Sequence, residues 1–510
     1  MPPKINIYRR GELICQTQGV IGETVLKRVQ ASDVFLDAPC GGQGRCKKCL
    51  VRLSPDGEEV QACQTVIQGD MDIYLPDEMK MKIAGAESSG SKAASPPSGP
   101  LGVAVDIGTT TVVAHLTDLK TGARIATASG VNAQRPFGAD VISRIQYCAA
   151  NGHELLTRLI RDQLAELIHE TCVSSGARAE NITYVSIAGN TIMEHLAAGF
   201  SPVGMGTAPF RPVSLFGDEM PAGADLKIAP GAVAYYAPAI YSYVGGDITA
   251  GMLASDLEHN AGPCVYIDIG TNGEIAMKIG DQYYCCATAA GPAFEGAEIT
   301  KGMAAVSGAI SHVKWTEDNR LEYTVIGDTA PQGLCGSGLL DALALMIETG
   351  AVDESGRVLD AEELDHPISA YLGTVDGKNV LWLSRENGVY MAAADVRKLQ
   401  LAKAATCAGI KTLMYHVGIG IEDVKSFLLA GGFGSYMDHE SAAKIGLFPK
   451  EFLPIARTMG NTAGEGAAIA LLSSAARATL SDIRDRCEYI ELSTTPYFSD
   501  QFIEQMTFEG

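Results

Sequence analysis

Four cysteines within the first 63 residues are spaced for metal chemistry. Cys40, Cys46 and Cys49 follow C-x5-C-x2-C in CGGQGRCKKC, and Cys63 comes thirteen intervening residues later, inside Ala-Cys-Gln. Four thiolates complete tetrahedral coordination, and soft sulfur ligands select zinc or an iron–sulfur centre. Structural zinc usually takes two short Cys-x2-4-Cys pairs, and this segment has one, which favours iron–sulfur. Gly41, Gly42 and Gly44 let the backbone fold round such a group and aim N–H groups at it, while Arg45, Lys47 and Lys48 soften its negative charge. Cys15 lies outside this spacing and reads as a core residue.

A second chemistry lies further along. GVAVDIGTTT (102–111) and VYIDIGTNGE (265–274) are apolar strands that each end in Asp-Ile-Gly-Thr. A strand end places Asp106 or Asp268 where its carboxylate holds Mg²⁺ through water. Gly108 and Gly270 allow close backbone approach to a phosphate, and Thr109, Thr110, Thr271, Asn272 and Gly273 supply hydroxyl and N–H donors. One such strand is a weak signal; two, on opposite lobes, can clamp a triphosphate. FLLAGGFGS (427–435) adds a buried strand turning through Gly431, Gly432 and Gly434, against which a flat adenine can lie. SIAGNTIMEH (186–195) and GNTAGEGAA (460–468) carry the small residues expected where helices cross between lobes. Asn190 and Thr191 read equally as phosphate contacts or helix caps. Cys285, Cys286 and Cys335 read as packed thiols, and His195 as structural.

These residues need elements to position them. At 510 residues, the chain is long enough for two to four compact units, and 46% hydrophobic against 19% charged residues leaves ample core. A net charge of −21 excludes the electropositive footprint of a nucleic-acid binder. No apolar run reaches the roughly 18 residues of a membrane span, and the N-terminus lacks a signal-peptide core, so a cytoplasmic protein without membrane insertion is expected. In that compartment, the 13 cysteines serve as ligands or buried thiols rather than disulfides. Residues 84–100, AGAESSGSKAASPPSGP, read as a flexible linker spanning about 23 Å on average. Residues 1–83 pattern as a hairpin turning near Gly11, a helix buried at Val25, Leu26 and Val29, and three further strands. Asp106 and Asp268 are 162 residues apart, a period suited to a duplicated two-lobed body. The fold class is α/β, with lobes at 101–255 and 256–480 and a tail at 481–510 packing on the body.

Three resemblances follow from these motifs. The cysteine loop is similar to plant- and adrenodoxin-type ferredoxins, which implies a [2Fe–2S] cluster on Cys40, Cys46, Cys49 and Cys63 in a ubiquitin-like (β-grasp) domain. The first gap is one residue longer than in the plant type, and the return to the fourth cysteine is short. Residues 101–480 resemble the superfamily of acetate and sugar kinases, Hsp70 and actin, which implies an ATPase that binds ATP and Mg²⁺. In sugar kinases of that superfamily, an aspartate placed like Asp247 is a general base, so Asp247 is the candidate to orient water; its alternative is a helix N-cap. Glu274 and Glu295 are weaker candidates for that work.

The whole arrangement, with GVNAQRPFGADVISRI (130–145) and the closing YIELSTTPYF, resembles the reductive activators of corrinoid proteins. That resemblance implies ATP-dependent, one-electron reduction of inactive Co(II) to Co(I) on a corrinoid partner of a methyltransferase system. It also implies a low-potential electron donor and, by analogy, a homodimer. Two alternatives stay open at this point: an electron-injecting activator of a 2-hydroxyacyl-CoA dehydratase-like enzyme, and a cluster-gated redox sensor or scaffold.

Overall fold

The computed structural model describes residues 2–76 and 99–508, apart from residues 33, 35, 37, 39, 40, 43, 45–47, 271, 297 and 435. Cys40, Cys46, Thr271 and nearly all of the expected linker thus lie outside the described residues.

The first unit is a mixed sheet over one helix. Strands β1 (Lys4–Arg9) and β2 (Glu12–Gln18) form an antiparallel hairpin, turned by Arg10 and Gly11, both at positive φ. Right-handed strand twist favours this left-handed pair in a two-residue turn. The sheet adds β3 (Leu50–Arg52), β4 (Glu59–Gln61) and β5 (Met71–Leu75) in the order β2-β1-β5-β3-β4, with β1 and β5 parallel at its centre. Helix α1 (Val25–Ala31) starts at Thr24, whose hydroxyl accepts from the Lys27 N–H, and it buries Val25, Leu26 and Val29. Those side chains meet Ile5, Ile7, Val51 and Ile73 in a core that also takes in Cys49 and Cys63.

Two larger sheets follow. The first contains β6 (Leu101–Ile107), β7 (Thr111–Asp118), β8 (Arg124–Val131), β9 (Ile182–Gly189), β10 (Glu219–Pro221) and β11 (Val233–Tyr236), in the order β10-β11-β9-β6-β7-β8. The second contains β12 (Cys264–Ile269), β13 (Gly273–Ile279), β14 (Gln282–Thr288), β21 (Ser426–Ala430), β22 (Ala456–Gly460) and β23 (Cys487–Tyr489), in the order β22-β21-β12-β13-β14-β23. Both begin with an antiparallel meander, then set a parallel strand beside its first member: β9 beside β6, and β21 beside β12. This shared order is the structural counterpart of the repeated Asp-Ile-Gly-Thr strands. Two small sheets are inserted in the second half: β15 (Ala309–Trp315), β16 (Leu321–Val325) and β17 (Gly333–Leu334), then β18 (Leu372–Val375), β19 (Lys378–Ser384) and β20 (Val389–Ala392).

Helices cover both faces, which is why β6 and β12 read as almost unbroken apolar runs. In the first half these are α2 (Val141–Asn151), α3 (Glu154–Ser175), α4 (Thr191–Ala198) and α5 (Gly246–Ala254). The second half has α6 (Gly336–Glu348), α7 (Ala393–Val417), the single turn α8 (Gly431–Gly434), α9 (His439–Lys444), α10 (Thr462–Leu472), α11 (Ser474–Asp485) and α12 (Pro496–Glu504). No described helix is long and apolar enough to cross a membrane.

The helices that meet between the two large sheets are α5 and α10, and α10 packs on β6 and β9 of the first sheet. They approach closely because a Cβ on Gly466 would lie 2.1 Å from the Ala250 carbonyl oxygen. Of the two segments expected to supply crossing helices, 460–468 does so. The other, 186–195, does not: its helix α4 stays against β9 and α3. Of the glycines of YVGGDITAG, Gly251 lies beside the partner helix, where a Cβ would stand 3.0 Å from Thr462 Oγ1, while Gly245 packs on Asn190 and Thr191 and Gly246 on Glu194. After α11, β23 extends the edge of the second sheet and α12 lies on α7.

Candidate functional site

Equal register places the two aspartates. Asp106 sits opposite Ala188 of β9, as Asp268 sits opposite Ala430 of β21, so each carboxylate leaves its sheet where the parallel neighbour ends. Asp106 Oδ2 accepts from Asn461 Nδ2 at 2.8 Å. Asn461 also caps α10 through Gly464 N, so one side chain ties the crossing helix to the first aspartate.

The first loop turns tightly, since a Cβ on Gly108 would lie 2.7 Å from the Thr111 carbonyl oxygen. Behind it, Asn190 Nδ2 donates to Thr109 Oγ1 at 3.0 Å while Asn190 Oδ1 caps α4. Thr191 Oγ1 donates to Tyr241 O. Asn190 and Thr191 therefore hold the loop and its helix from behind. Across the cleft, Thr110 Oγ1 donates to Glu295 Oε2 at 2.8 Å. In the second loop, Gly270 N donates to Asn272 O, and Gly273 packs where a Cβ would lie 2.7 Å from Thr288 Oγ1.

The glycine turn after β21 is built for two different approaches. Gly431 has φ +92°, and a Cβ there would lie 2.5 Å from Asp268 Oδ1 and 2.7 Å from Ile269 O. Gly432 is exposed, with nothing within 4 Å of its Cβ position, so its backbone faces open space. Gly434 meets only the end of β21. Phe433 stacks on Phe294 at 5.2 Å, fixing the turn against the segment that carries Glu295.

Asp247 lies in the first turn of α5, where Gly245 holds the N-cap position; its Oδ1 accepts from the adjacent Ile248 N–H. The N-cap alternative is thus set aside. Burial pushes Asp106 up to about 6. Burial and then the charge of Asp106 push Asp268 up to about 7. Burial, then Asp268 and Asp106, push Asp247 up to about 8. Glu274 is raised well above the carboxylate range by burial and by Asp247 and Asp268. Crowding and burial disfavour the ionised forms and a nearby cation favours them, so the donor set suits a hard divalent ion. Among the described residues, no three His, Cys, Asp or Glu side chains converge closely enough to hold a metal directly.

In the small unit, Cys49 and Cys63 are buried, and Ala62 N donates to Cys49 O, setting their segments side by side. Gly41, Gly42 and Gly44 all have positive φ, and a Cβ on Gly42 would lie 3.8 Å from Cys63 Cβ. The glycine loop therefore wraps over a buried thiol, a cradle that fits a thiolate-held cluster. Gln64 Nε2 donates towards Cys63 Sγ at 3.8 Å. Cys40 and Cys46 lie outside the described residues. Cys15 is half-buried at the edge of the core, and Cys285, Cys286 and Cys335 are buried thiols. His195 is fully buried: Nδ1 sits 2.7 Å from Thr191 O, and Nε2 accepts from Val213 and Ser214 N–H groups, so it is a neutral framework residue.

Sequence reasoning missed Asn461, whose partner is 355 residues away, and Glu194, whose carboxyl is fully buried beside Gly246 and raised well above its usual range by burial and then by Asp247. The Asn-Thr-Ala-Gly of a helix start was the available signal for Asn461. Glu194 gave none, since a glutamate in a short helix normally faces water.

Residues 101–260 match the family described as the RACo middle region, and residues 262–510 the C-terminal ASKHA domain of RACo. The corrinoid activation enzyme RamQ of Eubacterium limosum is 34% identical, over 93% of this chain and 94% of its own length. The [Co(II) methylated amine-specific corrinoid protein] reductase of Methanosarcina barkeri is 26% identical over 68% of this chain and 66% of its own. A solved reductive activator for corrinoid, iron–sulfur protein superposes with a TM-score of 0.73 at 28% identity, covering 99% of this chain and 98% of that one.

Proposed function

This chain belongs to the family of reductive activators of corrinoid proteins, and from that premise we propose how its residues divide the work. The activity is ATP-dependent reductive activation of a corrinoid protein, carried out by an ATPase of the ASKHA fold. One electron passes from a low-potential donor to the partner's cobalt, taking inactive Co(II) to Co(I), while ATP and water become ADP and phosphate. The observation that carries our reading of the cleft is the facing pair Asp106 and Asp268, at equivalent ends of two sheets of the same strand order.

Residues 1–83 are read as a β-grasp ferredoxin-type unit on a linker at 84–100. Lobes at 101–255 and 256–480 enclose the nucleotide, and residues 481–510 brace the second. Cys40, Cys46, Cys49 and Cys63 hold a [2Fe–2S] cluster, which supplies one-electron transfer when bound. Gly41, Gly42 and Gly44 shield it, and Gln64 tunes Cys63 by donating to its sulfur.

In the cleft, Thr109 and Thr110 present hydroxyl and N–H groups to phosphate oxygens, as do Gly270, Thr271, Asn272 and Gly273 opposite. Thr110 gives up its bond to Glu295 for a phosphate oxygen. Asp106 and Asp268 would hold Mg²⁺, which would neutralise phosphate charge, and Gly431, Gly432 and Gly434 lie along the adenosine. Asp247, in its ionised form, accepts a hydrogen bond from the attacking water. The glycine-lined contact of α5 with α10 lets the lobes shift as the cleft fills. For a one-electron step, each ~59 mV uphill is about 1.4 kcal/mol, so ATP turnover covers a few such increments. The protein acts in the cytoplasm as a homodimer beside a methyltransferase system.

The test uses the full chain, a Co(II) corrinoid protein, a low-potential donor, Mg²⁺ and ATP, with cobalt followed by visible spectroscopy. Co(I) formation should need ATP, fall sharply in Asp247→Asn, and vanish in Cys63→Ser. Full reduction by Cys63→Ser, or an iron count other than two per chain, would refute the cluster assignment.

A further inference from the structure

The segment GVNAQRPFGADVISRI has no part in the cleft chemistry described above, yet its Asn132, Gln134, Phe137 and Arg144 are buried and the segment is densely bonded. Arg144 on α2 is completely enclosed. Its Nε donates to Gly138 O at 3.0 Å and its Nη1 to Gln134 Oε1 at 3.0 Å, and its Nη2 donates to Thr109 O in the first phosphate loop. No carboxylate bonds to this guanidinium in these contacts, and burial lowers it to about 9. An enclosed cation held by carbonyls is costly, so a replaceable packing role is a poor account of it. Beside it, the fully buried Asn132 donates from Nδ2 to Gly108 O at 2.8 Å and accepts from Gln134 N at 2.9 Å. Asn132 N also donates to Thr110 O. The carbonyls of all three residues Gly108–Thr110 are thereby tied to one strand-to-helix connection.

The other end of that connection touches the small unit. Gln30 on α1 donates from Nε2 to Pro136 O at 2.7 Å, across 106 residues. The nearest atom to a Cβ built on Gly41, in the glycine loop, is Phe137 O at 3.8 Å. Phe137 is buried and braced edge-on by Tyr147 of α2 at 5.1 Å. The Arg135–Phe137 turn thus meets the small unit on its outer side and Arg144 on its inner side.

We propose that the Arg135–Gly138 turn is the seat of the small unit on the ATPase body. Arg144 and Asn132 are positioning residues that make this seat responsive to what occupies the first phosphate loop. The inference deepens the reading of the cleft as a nucleotide site and rests on it. Phosphate oxygens engage the N–H and hydroxyl groups of Gly108–Thr110. The carbonyls of the same peptides move with them, and Arg144 carries that movement to Gly138 O through two bonds of one rigid plane. Gln30 then meets a displaced Pro136 carbonyl, and the hold on the small unit changes.

Hydrogen exchange of the full chain, with and without Mg²⁺ and a non-hydrolysable ATP analogue, tests this. Exchange in segments 26–32 and 133–138 should change together, threefold or more, on adding nucleotide. Arg144→Met should still bind nucleotide by calorimetry but lose the change at 26–32. Gln30→Glu sets an acceptor against the Pro136 carbonyl from an accessible site. It should speed exchange in both segments and abolish the nucleotide effect at 26–32, which keeps the test decisive even if Arg144→Met does not fold. Nucleotide binding with no change at 26–32 in the unaltered chain overturns the inference, as does Arg144→Met with that change intact or Gln30→Glu with exchange at 133–138 unaltered. Failure of the unaltered chain to bind nucleotide at all would instead overturn the reading of the cleft.

Discussion

Two adjacent glycines should respond oppositely to the same added methyl group. At Gly431 the φ of +92° is a left-handed conformation that an L side chain adopts at about 1–2 kcal/mol. The Cβ would also stand 2.5 Å from Asp268 Oδ1 and 2.7 Å from Ile269 O, the latter on a central strand that cannot give way. Overpacking of that kind costs about 1–3 kcal/mol, so Gly431→Ala should lose roughly 2–5 kcal/mol of stability. At Gly432, φ is not left-handed and nothing lies within 4 Å of the Cβ position. Gly432→Ala should melt like the parent or gain up to about 1 kcal/mol from reduced chain entropy. Its methyl group, however, projects where the nucleotide is proposed to lie, and displacing one close contact of about 1.4–3 kcal/mol weakens binding roughly 10- to 100-fold. Thermal melts with and without ADP read both effects together. A ligand at 100 times its Kd stabilises by about 2.7 kcal/mol, and that increment should shrink in Gly432→Ala at fixed ADP while the unliganded melt is not lowered. Parent-like ADP stabilisation of Gly432→Ala would refute the adenosine assignment. A parent-like melt of Gly431→Ala would refute the close approach to Asp268.

Other outcomes follow from the same geometry. Asp106, Asp268 and Asp247 are raised to about 6, 7 and 8, so their neutral forms stabilise the nucleotide-free fold at low pH, and that contribution is lost as pH rises from about 4 to about 8. Mg²⁺–nucleotide binding should therefore strengthen with pH over this window and release roughly one to two protons near pH 7, measured by calorimetry in buffers of different ionisation heat; a flat profile would contradict the clustered acids. Glu295→Gln removes a negative charge from beside the Thr110 hydroxyl and should tighten ATP binding several-fold in a direct titration; weaker binding would mean that Glu295 does not face the phosphates. Asn461→Ala should cost about 1–2 kcal/mol in denaturant melts through the lost α10 cap and should raise Asp106 further, shifting the pH profile upward.

The features read best from sequence were those carried by contiguous residues. Asp-Ile-Gly-Thr after an apolar strand identified Asp106 and Asp268, because strand, carboxylate and glycine turn are consecutive in the chain. Their repetition anticipated two sheets of one order, since duplicated pairing rules give duplicated topology. The glycine turn at 431–434 was legible for the same reason, as was the apolar spacing of Val25, Leu26 and Val29 along α1. Small residues marked helices that pack closely without naming their partner. Segment 186–195 was accordingly given a crossing role that belongs to α5.

What tertiary structure alone decided were bonds between residues far apart in sequence: Asn461 with Asp106, Thr110 with Glu295, and Gln30 with Pro136. It also decided burial. Arg144 and Glu194 have the side chains of surface residues and are fully enclosed, and the three aspartates are raised first by burial in the folded body and then, for Asp268 and Asp247, by their charged neighbours. Local order depends on backbone preference and hydrophobic period, which a short stretch of sequence contains. Proximity across hundreds of residues, and the electric field it creates, exist only once the sheets and helices have packed.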